Sequence, residues 1–166
     1  MSLTKDVAES GRVARASRAR KGECFQNAFR VIRRLPEYAD AYYVEGMVVS
    51  ASRPLLAGLP YEHGWVEMDG RIIDPTLPSC DAVYFTGLRC RGAAEVMKLK
   101  DGPKAFWASR DLPLFYCYGW GGTESVEFRS AVIAAYRFAG QEDTAKRYEE
   151  YGRRLAAGEV KELKAT

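Results

Sequence analysis

The stretch EHGWVEMDGRIIDPT, residues 62–76, holds the only histidine of the chain, His63, and an aspartate eleven residues further on, Asp74. Four cysteines complete the set of side chains from which covalent chemistry can be built: Cys24, Cys80, Cys90 and Cys117. A histidine acting as general base needs its tautomer and ring plane fixed, and a carboxylate on one ring nitrogen does this while favouring the imidazolium. Asp74 suits that orienting role. The nucleophile that such a base would serve is Cys24, in KGECFQNAF. It stands where a helix should begin, and the free amides and positive dipole end of a helix start favour a thiolate. The same amides can donate to an oxyanion formed by attack on a carbonyl.

The other thiols suit the role less well. Cys80, in a loop next to the histidine segment, is the reserve nucleophile. Cys90 and Cys117 lie among apolar and aromatic neighbours, where a buried inert thiol is the ordinary outcome. No CxxC pair occurs and one histidine cannot complete a Cys/His zinc set, so neither a metal nor a cofactor is expected.

The elements that must position these residues follow from pattern. Asp69-Gly70 between two β-rich runs reads as a two-residue hairpin loop of type I′. Such a loop fixes the register: Met68 opposite Arg71, Val66 opposite Ile73, Trp65 opposite Asp74 and His63 opposite Thr76. Facing and alternate residues share a side of the sheet, so His63, Trp65, Asp74 and Thr76 are expected on one face, with Asp74 diagonal to His63 at roughly 7–8 Å. Glu67 falls on that face too, but near the turn, and is expected to be solvated. Trp65 is expected to shield the His63–Asp74 contact or to fill the core.

Upstream, residues 4–20 read as an Ala/Arg-rich helix, and Phe25, Ala28, Phe29 and Ile32 mark a second helix over 24–35. Residues 41–51 form a strand and 53–60 a loop. After Pro78 come a further strand within 81–89 and a short helix over 92–99. An aromatic-rich loop region then runs to about residue 123, before helices over 124–139 and 142–157. The order is helices, a small antiparallel sheet, then helices: an α+β domain with a nucleophile-bearing N-terminal helix packed on the sheet.

Composition sets the outer limits. At 166 residues, with 47% apolar and 28% charged side chains, the chain suits one globular domain. Within it residues 1–21 are read as a basic helix, 22–78 as the catalytic core and 79–166 as the aromatic loop with C-terminal helices. The longest apolar run is far below the roughly 20 residues of a bilayer span. Without a secretory leader in MSLTKDVAESGR, no membrane association and a cytoplasmic location are expected. Residues 1–34 carry nine Lys/Arg against three Asp/Glu, the remainder sixteen against nineteen. This basic start contains no aromatic residue on which a base could stack, so a solvated helix face is preferred to a nucleic-acid site.

A cysteine at a helix start, the strand AYYVEGMVV, the strand HGWVEMDG and the following IIDPT together resemble the core of the transglutaminase-like cysteine enzymes, within the broader papain-like group. The likeness covers residues 22–77. It implies Cys24 as nucleophile, His63 as base and Asp74 as orienter, acting on a peptide or protein amide as peptidase, amidase or deamidase rather than as a cross-linking enzyme. Papain-like enzymes usually carry a glutamine upstream of the cysteine as oxyanion donor, and ARASRARKGE contains none. Gln26 and Asn27, just after Cys24, are the side-chain candidates for that role, with Trp65 in support. Two other readings remain open: a non-catalytic binding module using the aromatic loop 106–122, and nucleic-acid binding through the basic N-terminal segment.

Overall fold

In a computed structural model of the chain, residues 3–50, 58–100, 113–115 and 124–160 are described. The most apolar strand, YYVEGMVVS, lies inside the sheet with a neighbour on each side. Strands β1 (Thr4–Lys5), β2 (Tyr42–Ser50), β3 (Pro60–Met68), β4 (Arg71–Ile73) and β5 (Ala82–Arg91) form one sheet in the order β1-β4-β3-β2-β5. The neighbours of β2, β3 and β5, run antiparallel to it, whereas β1 lies parallel to β4. The sheet is therefore mixed rather than purely antiparallel, because the N-terminal residues add a strand at its edge. Residues 4–5, expected at the start of a helix, form that strand instead.

Helix α1 (Val7–Ala16) begins after Asp6, whose carboxylate caps the Glu9 amide, and ends before Arg18, which adopts a φ of 54°. Helix α2 (Cys24–Arg34) packs against β3, and a 3-10 turn (Pro36–Tyr38) leads from it into β2. Helix α3 (Gly92–Lys100) follows β5. Helix α4 (Val126–Phe138), capped by Ser125, lies on β2 and β5, and α5 (Glu142–Ala156) packs on α4. The fold is α+β. Among the described residues no helix is long and apolar enough to cross a membrane.

The pleat of the sheet divides the core. On one face Tyr43, Met47, Val66, Leu88 and Cys90 meet Ala28, Val31 and Ile32 of α2 and Phe128, Ala131 and Val132 of α4. On the other, Val44, Val48, Tyr61, Trp65 and Ile72 form a smaller cluster against which Leu3, Leu77 and Tyr84 pack. Burial of these side chains, each contributing roughly 1.5–3 kcal/mol, sets the register, because a one-residue slip would exchange the faces.

The hairpin forms as its sequence requires. Asp69 and Gly70 take φ values of 51° and 73°, the paired positive φ of a type I′ loop, and Met68, Glu67 and Val66 face Arg71, Ile72 and Ile73. The ladder stops there, and Asp74 and Thr76 lie beyond it. Pro75 has no N–H to give to a ladder, and the Asp74 side chain accepts from the amides of Thr76 and Leu77 at 2.9 and 3.0 Å, turning the chain away from β3.

Candidate active site

The early end of β4 creates the site. Among the described residues β4 covers β3 only at Val66–Met68, so the edge of β3 from Pro60 to Trp65 carries no strand on that side. The first turn of α2 arrives at this open edge. It comes close enough that a Cβ built on Gly64 would stand 2.9 Å from Phe25 Cα and 3.2 Å from Phe25 N. Glycine at 64 thus allows the helix start to touch the strand beside His63. There the Cys24 side chain comes near enough to the His63 ring to favour its protonated form. His63 is 1% exposed, while Cys24 is half-buried.

The other side of the imidazole is held by Asp74, whose Oδ2 lies 2.9 Å from His63 Nε2. With Nε2 taken, Nδ1 is the nitrogen left for the thiol. Tyr84 donates its hydroxyl to the same Oδ2 at 2.7 Å. Oδ1 accepts the Thr76 and Leu77 amides, and the Asp74 amide donates to Ser10 Oγ at 2.9 Å. Every oxygen of this fully buried carboxylate is occupied, which is the condition for keeping a charge out of water.

Electrostatics follow from that saturation. Burial alone lowers the His63 pKa, but the charge and hydrogen bond of Asp74, reinforced by Cys24, outweigh it and raise the group to about 9. Burial likewise pushes Asp74 up. The imidazole, the Tyr84 hydroxyl and the Leu77 amide overcome this and hold the carboxyl below its usual range. The pair is built to carry imidazolium against carboxylate.

Trp65 lies buried alongside, its ring stacked on His63 at 6.3 Å between centroids and 19° between planes, with the Tyr84 ring edge-on at 5.2 Å. Asn27 has a different task from the expected one. Its Oδ1 accepts the Arg20 amide at 2.9 Å and its Nδ2 donates to the Arg20 carbonyl at 2.7 Å and to Thr76 Oγ1 at 2.9 Å. Fully buried and so bonded, Asn27 has no N–H for an oxyanion. It ties the loop before Cys24 to the loop after Asp74. Gln26 lies half-buried in the first turn of α2. No side chain caps that turn, because the Glu23 carboxylate is drawn to Arg30 at 3.0 Å, so its leading backbone amides are the donors the turn offers.

The remaining sequence candidates separate. Cys80 Sγ lies 2.9 Å from Ser50 Oγ, and the single histidine is already engaged by Cys24 and Asp74. Burial pushes the Cys90 thiol up to about 12, which leaves it unreactive. Cys117 and most of the aromatic loop 106–122 lie outside the described residues. Of that stretch, Leu114 and Phe115 are buried, their amides donated to the Glu45 carboxylate at 2.6 and 2.8 Å. Among the basic N-terminal residues, Arg12 pairs with Glu9 and Glu37, and Arg30 with Glu23.

Glu67 is not solvated. It is 2% exposed, with Thr86 and Trp65 donating to its Oε1 and Arg89 paired to its Oε2. The register places it at the turn end of β3, but the neighbour across β2, strand β5, supplies the residues that enclose it. The hairpin sequence gives no sign of that strand. Ser10 and Tyr84 were also missed as parts of the site, since both come from elements distant in sequence and only the sheet order brings them to Asp74.

The site thus comprises a half-buried cysteine beside a buried imidazole that is hydrogen-bonded to a buried carboxylate, on an α+β scaffold. Among the described residues no group of three His, Cys, Asp or Glu side chains is placed to hold a metal ion. Compared with protein-family models, with curated proteins and with solved structures, the chain finds no match.

Proposed function

We propose that the chain is a cysteine-dependent acyl-transfer enzyme that hydrolyses an amide, of the transglutaminase-like type, with Cys24 as nucleophile, His63 as base and Asp74 as orienter. The observation that carries this reading is the buried His63 ring, held by Asp74 Oδ2 at 2.9 Å on one side with the Cys24 side chain interacting with it from the start of α2. The order of helix-borne Cys, His-Gly-Trp strand and Asp-Pro-Thr supports it.

In this mechanism the thiol proton passes to His63 Nδ1 before attack, in keeping with an imidazole held as imidazolium, and the thiolate Sγ then attacks the carbonyl carbon of an amide, forming a C–S bond. The electron pair of the carbonyl moves to its oxygen. Uncapped amides at the start of α2 face the developing negative charge, a role worth about 3 kcal/mol per donor in comparable sites. Collapse of the intermediate breaks the C–N bond, and the imidazolium returns its proton to the leaving nitrogen. Water, deprotonated by His63, then attacks the thioester and releases the acid, regenerating the thiol. Asp74 remains ionised throughout and stabilises the imidazolium.

The test is the rate of Cys24 alkylation by iodoacetamide from pH 4 to 10, followed by peptide mapping, in the native protein and in His63→Ala. Reaction of Cys24 well below the roughly 8.5 of an ordinary thiol, abolished in H63A, is the expected result. Free-cysteine behaviour in both proteins would end the catalytic reading.

A further inference from the structure

We propose that Glu67 is a positioning residue for His63, acting through the indole of Trp65; the inference rests on the reading of His63 as the general base. The hydrogen bond at Nε2 and the Cys24 contact at Nδ1 fix an axis through the imidazole but leave its tilt about that axis weakly held. Two rings limit that tilt: the Tyr61 ring, edge-on at 6.1 Å, and the Trp65 indole, which lies 19° from parallel at 6.3 Å and offers its face. What holds the indole therefore helps to hold the base.

Two clamps act on the indole. At its far end Gly46 makes room, since a Cβ there would stand 2.7 Å from Trp65 Cη2. At its polar end the Nε1–H donates to Glu67 Oε1 at 3.1 Å. Glu67 is itself immobilised: Thr86 Oγ1 donates to Oε1 at 2.7 Å, and Arg89 Nε pairs with Oε2 at 3.0 Å while its guanidinium lies 4.1 Å from the Tyr42 ring centre. An apolar side chain would fill this buried position without the cost of enclosing a carboxylate. What the carboxylate adds is a fixed acceptor for one buried N–H, whose loss leaves that N–H unsatisfied and the indole free to turn toward another acceptor.

The experiment follows His63 by NMR titration, its signals unambiguous because the chain has one histidine, together with the pH profile of Cys24 alkylation. The proteins are the full chain, Glu67→Gln, Glu67→Leu, Trp65→Phe and the double variant E67L/W65F. E67Q keeps an acceptor and should stay within about twofold of the native alkylation rate at pH 6. E67L should lose about tenfold, the low end of what displaced catalytic geometry costs, and should lower the His63 midpoint. W65F should show the same loss, with E67L adding nothing in its background, because both changes remove one contact. A His63 midpoint unmoved in E67L overturns the proposal, as do losses that multiply in the double variant. If E67L does not fold, a native midpoint in W65F overturns it equally. The two readouts separate the failures: free-thiol reactivity of native Cys24 defeats the catalytic reading, and an unmoved His63 midpoint defeats the role of Glu67.

Discussion

Gly64→Ala tests whether the approach of α2 to β3 is what pairs the thiol with the imidazole. The added methyl would stand 2.8 Å from Phe25 Cδ1, 2.9 Å from its Cα and 3.2 Å from its N. The ring carbon can swing away; the two backbone atoms cannot. To restore a carbon contact of ~3.5 Å, the first turn of α2 must retreat by about 0.6 Å, carrying Cys24 with it. The contact between sulfur and imidazole tolerates little of that. Displacement on the order of 1 Å costs about 100-fold in a catalytic geometry, so roughly tenfold is expected for Cys24 alkylation at pH 6. Stability should fall by about 1–3 kcal/mol from overpacking, offset by about 0.5–1 kcal/mol because alanine is less costly than glycine to order in a strand. The assay is the pH profile of alkylation beside urea unfolding of the same variant. If G64A unfolds with native stability and Cys24 keeps its native profile, the helix start was never pressed against residue 64 and the account of the site is wrong.

Asp74→Asn removes the charge that outweighs burial at His63, so the imidazole should titrate below its ordinary 6.5 instead of near 9 by NMR. The raised His63 contributes stability that is complete below pH 6.5 and lost as pH rises through about 9, on the order of 3 kcal/mol. The lowered Asp74 contributes stability present above pH 3.8 and lost as pH falls through about 2. D74N should flatten both limbs of a stability–pH curve measured by urea unfolding, and a basic limb unchanged in D74N would contradict the pairing. Glu45 provides a separate case: fully buried, its carboxyl is pushed up to about 7 by burial against the opposing bonds from Tyr43, Leu114 and Phe115. A raised carboxyl stabilises below its unfolded value of 4.5 and ceases to do so as pH climbs through about 7, a decline of roughly 3 kcal/mol. Glu45→Gln should remove that decline between pH 5 and 8, and a decline of native size in E45Q would place its origin elsewhere.

The parts of the molecule legible in the sequence are those fixed by local chemistry. Asp69-Gly70 dictates a type I′ loop, the loop dictates the pairing of Met68 with Arg71, and the 3.6-residue spacing of Phe25, Ala28, Phe29 and Ile32 gives α2 its buried face. The helices over 126–138 and 142–156 were legible for the same reason. What was not legible depends on contacts across the sheet. The extension of β4 to Thr76 fails because Pro75 lacks a donor and the Asp74 carboxylate captures the two amides beyond it. The burial of Glu67 depends on Thr86 and Arg89 of β5, separated from β3 by β2. Asn27 sits beside Cys24 in sequence, yet its bonds run to Arg20 and Thr76. Proximity in sequence suggested a catalytic role where the fold uses the amide as a tie.

The N-terminal segment shows how far the site depends on residues that looked like surface. Thr4 and Lys5 pair with Arg71 and Ile72, adding a strand beyond β4 that a three-residue strand at a sheet edge would otherwise lack. Lys5 then reaches past the end of β4 and donates to the carbonyls of Leu77 and Cys80, the loop that continues from Asp74. Burial lowers its pKa, opposed by the charges of Asp74, Cys80 and Asp81. Five residues along, the Ser10 hydroxyl takes the Asp74 amide at 2.9 Å and donates to the Asp6 carbonyl at 2.6 Å. A hairpin alone can bring Asp74 near His63, but a carboxylate just past a strand end is free to turn toward water. Holding it inward takes partners on every side: the Ser10 hydroxyl accepting the Asp74 amide, Lys5 donating to the carbonyls of the loop that follows, Asn27 through Thr76 from α2, and Tyr84 donating from β5. The geometry of the orienting residue is thus a property of the whole sheet edge.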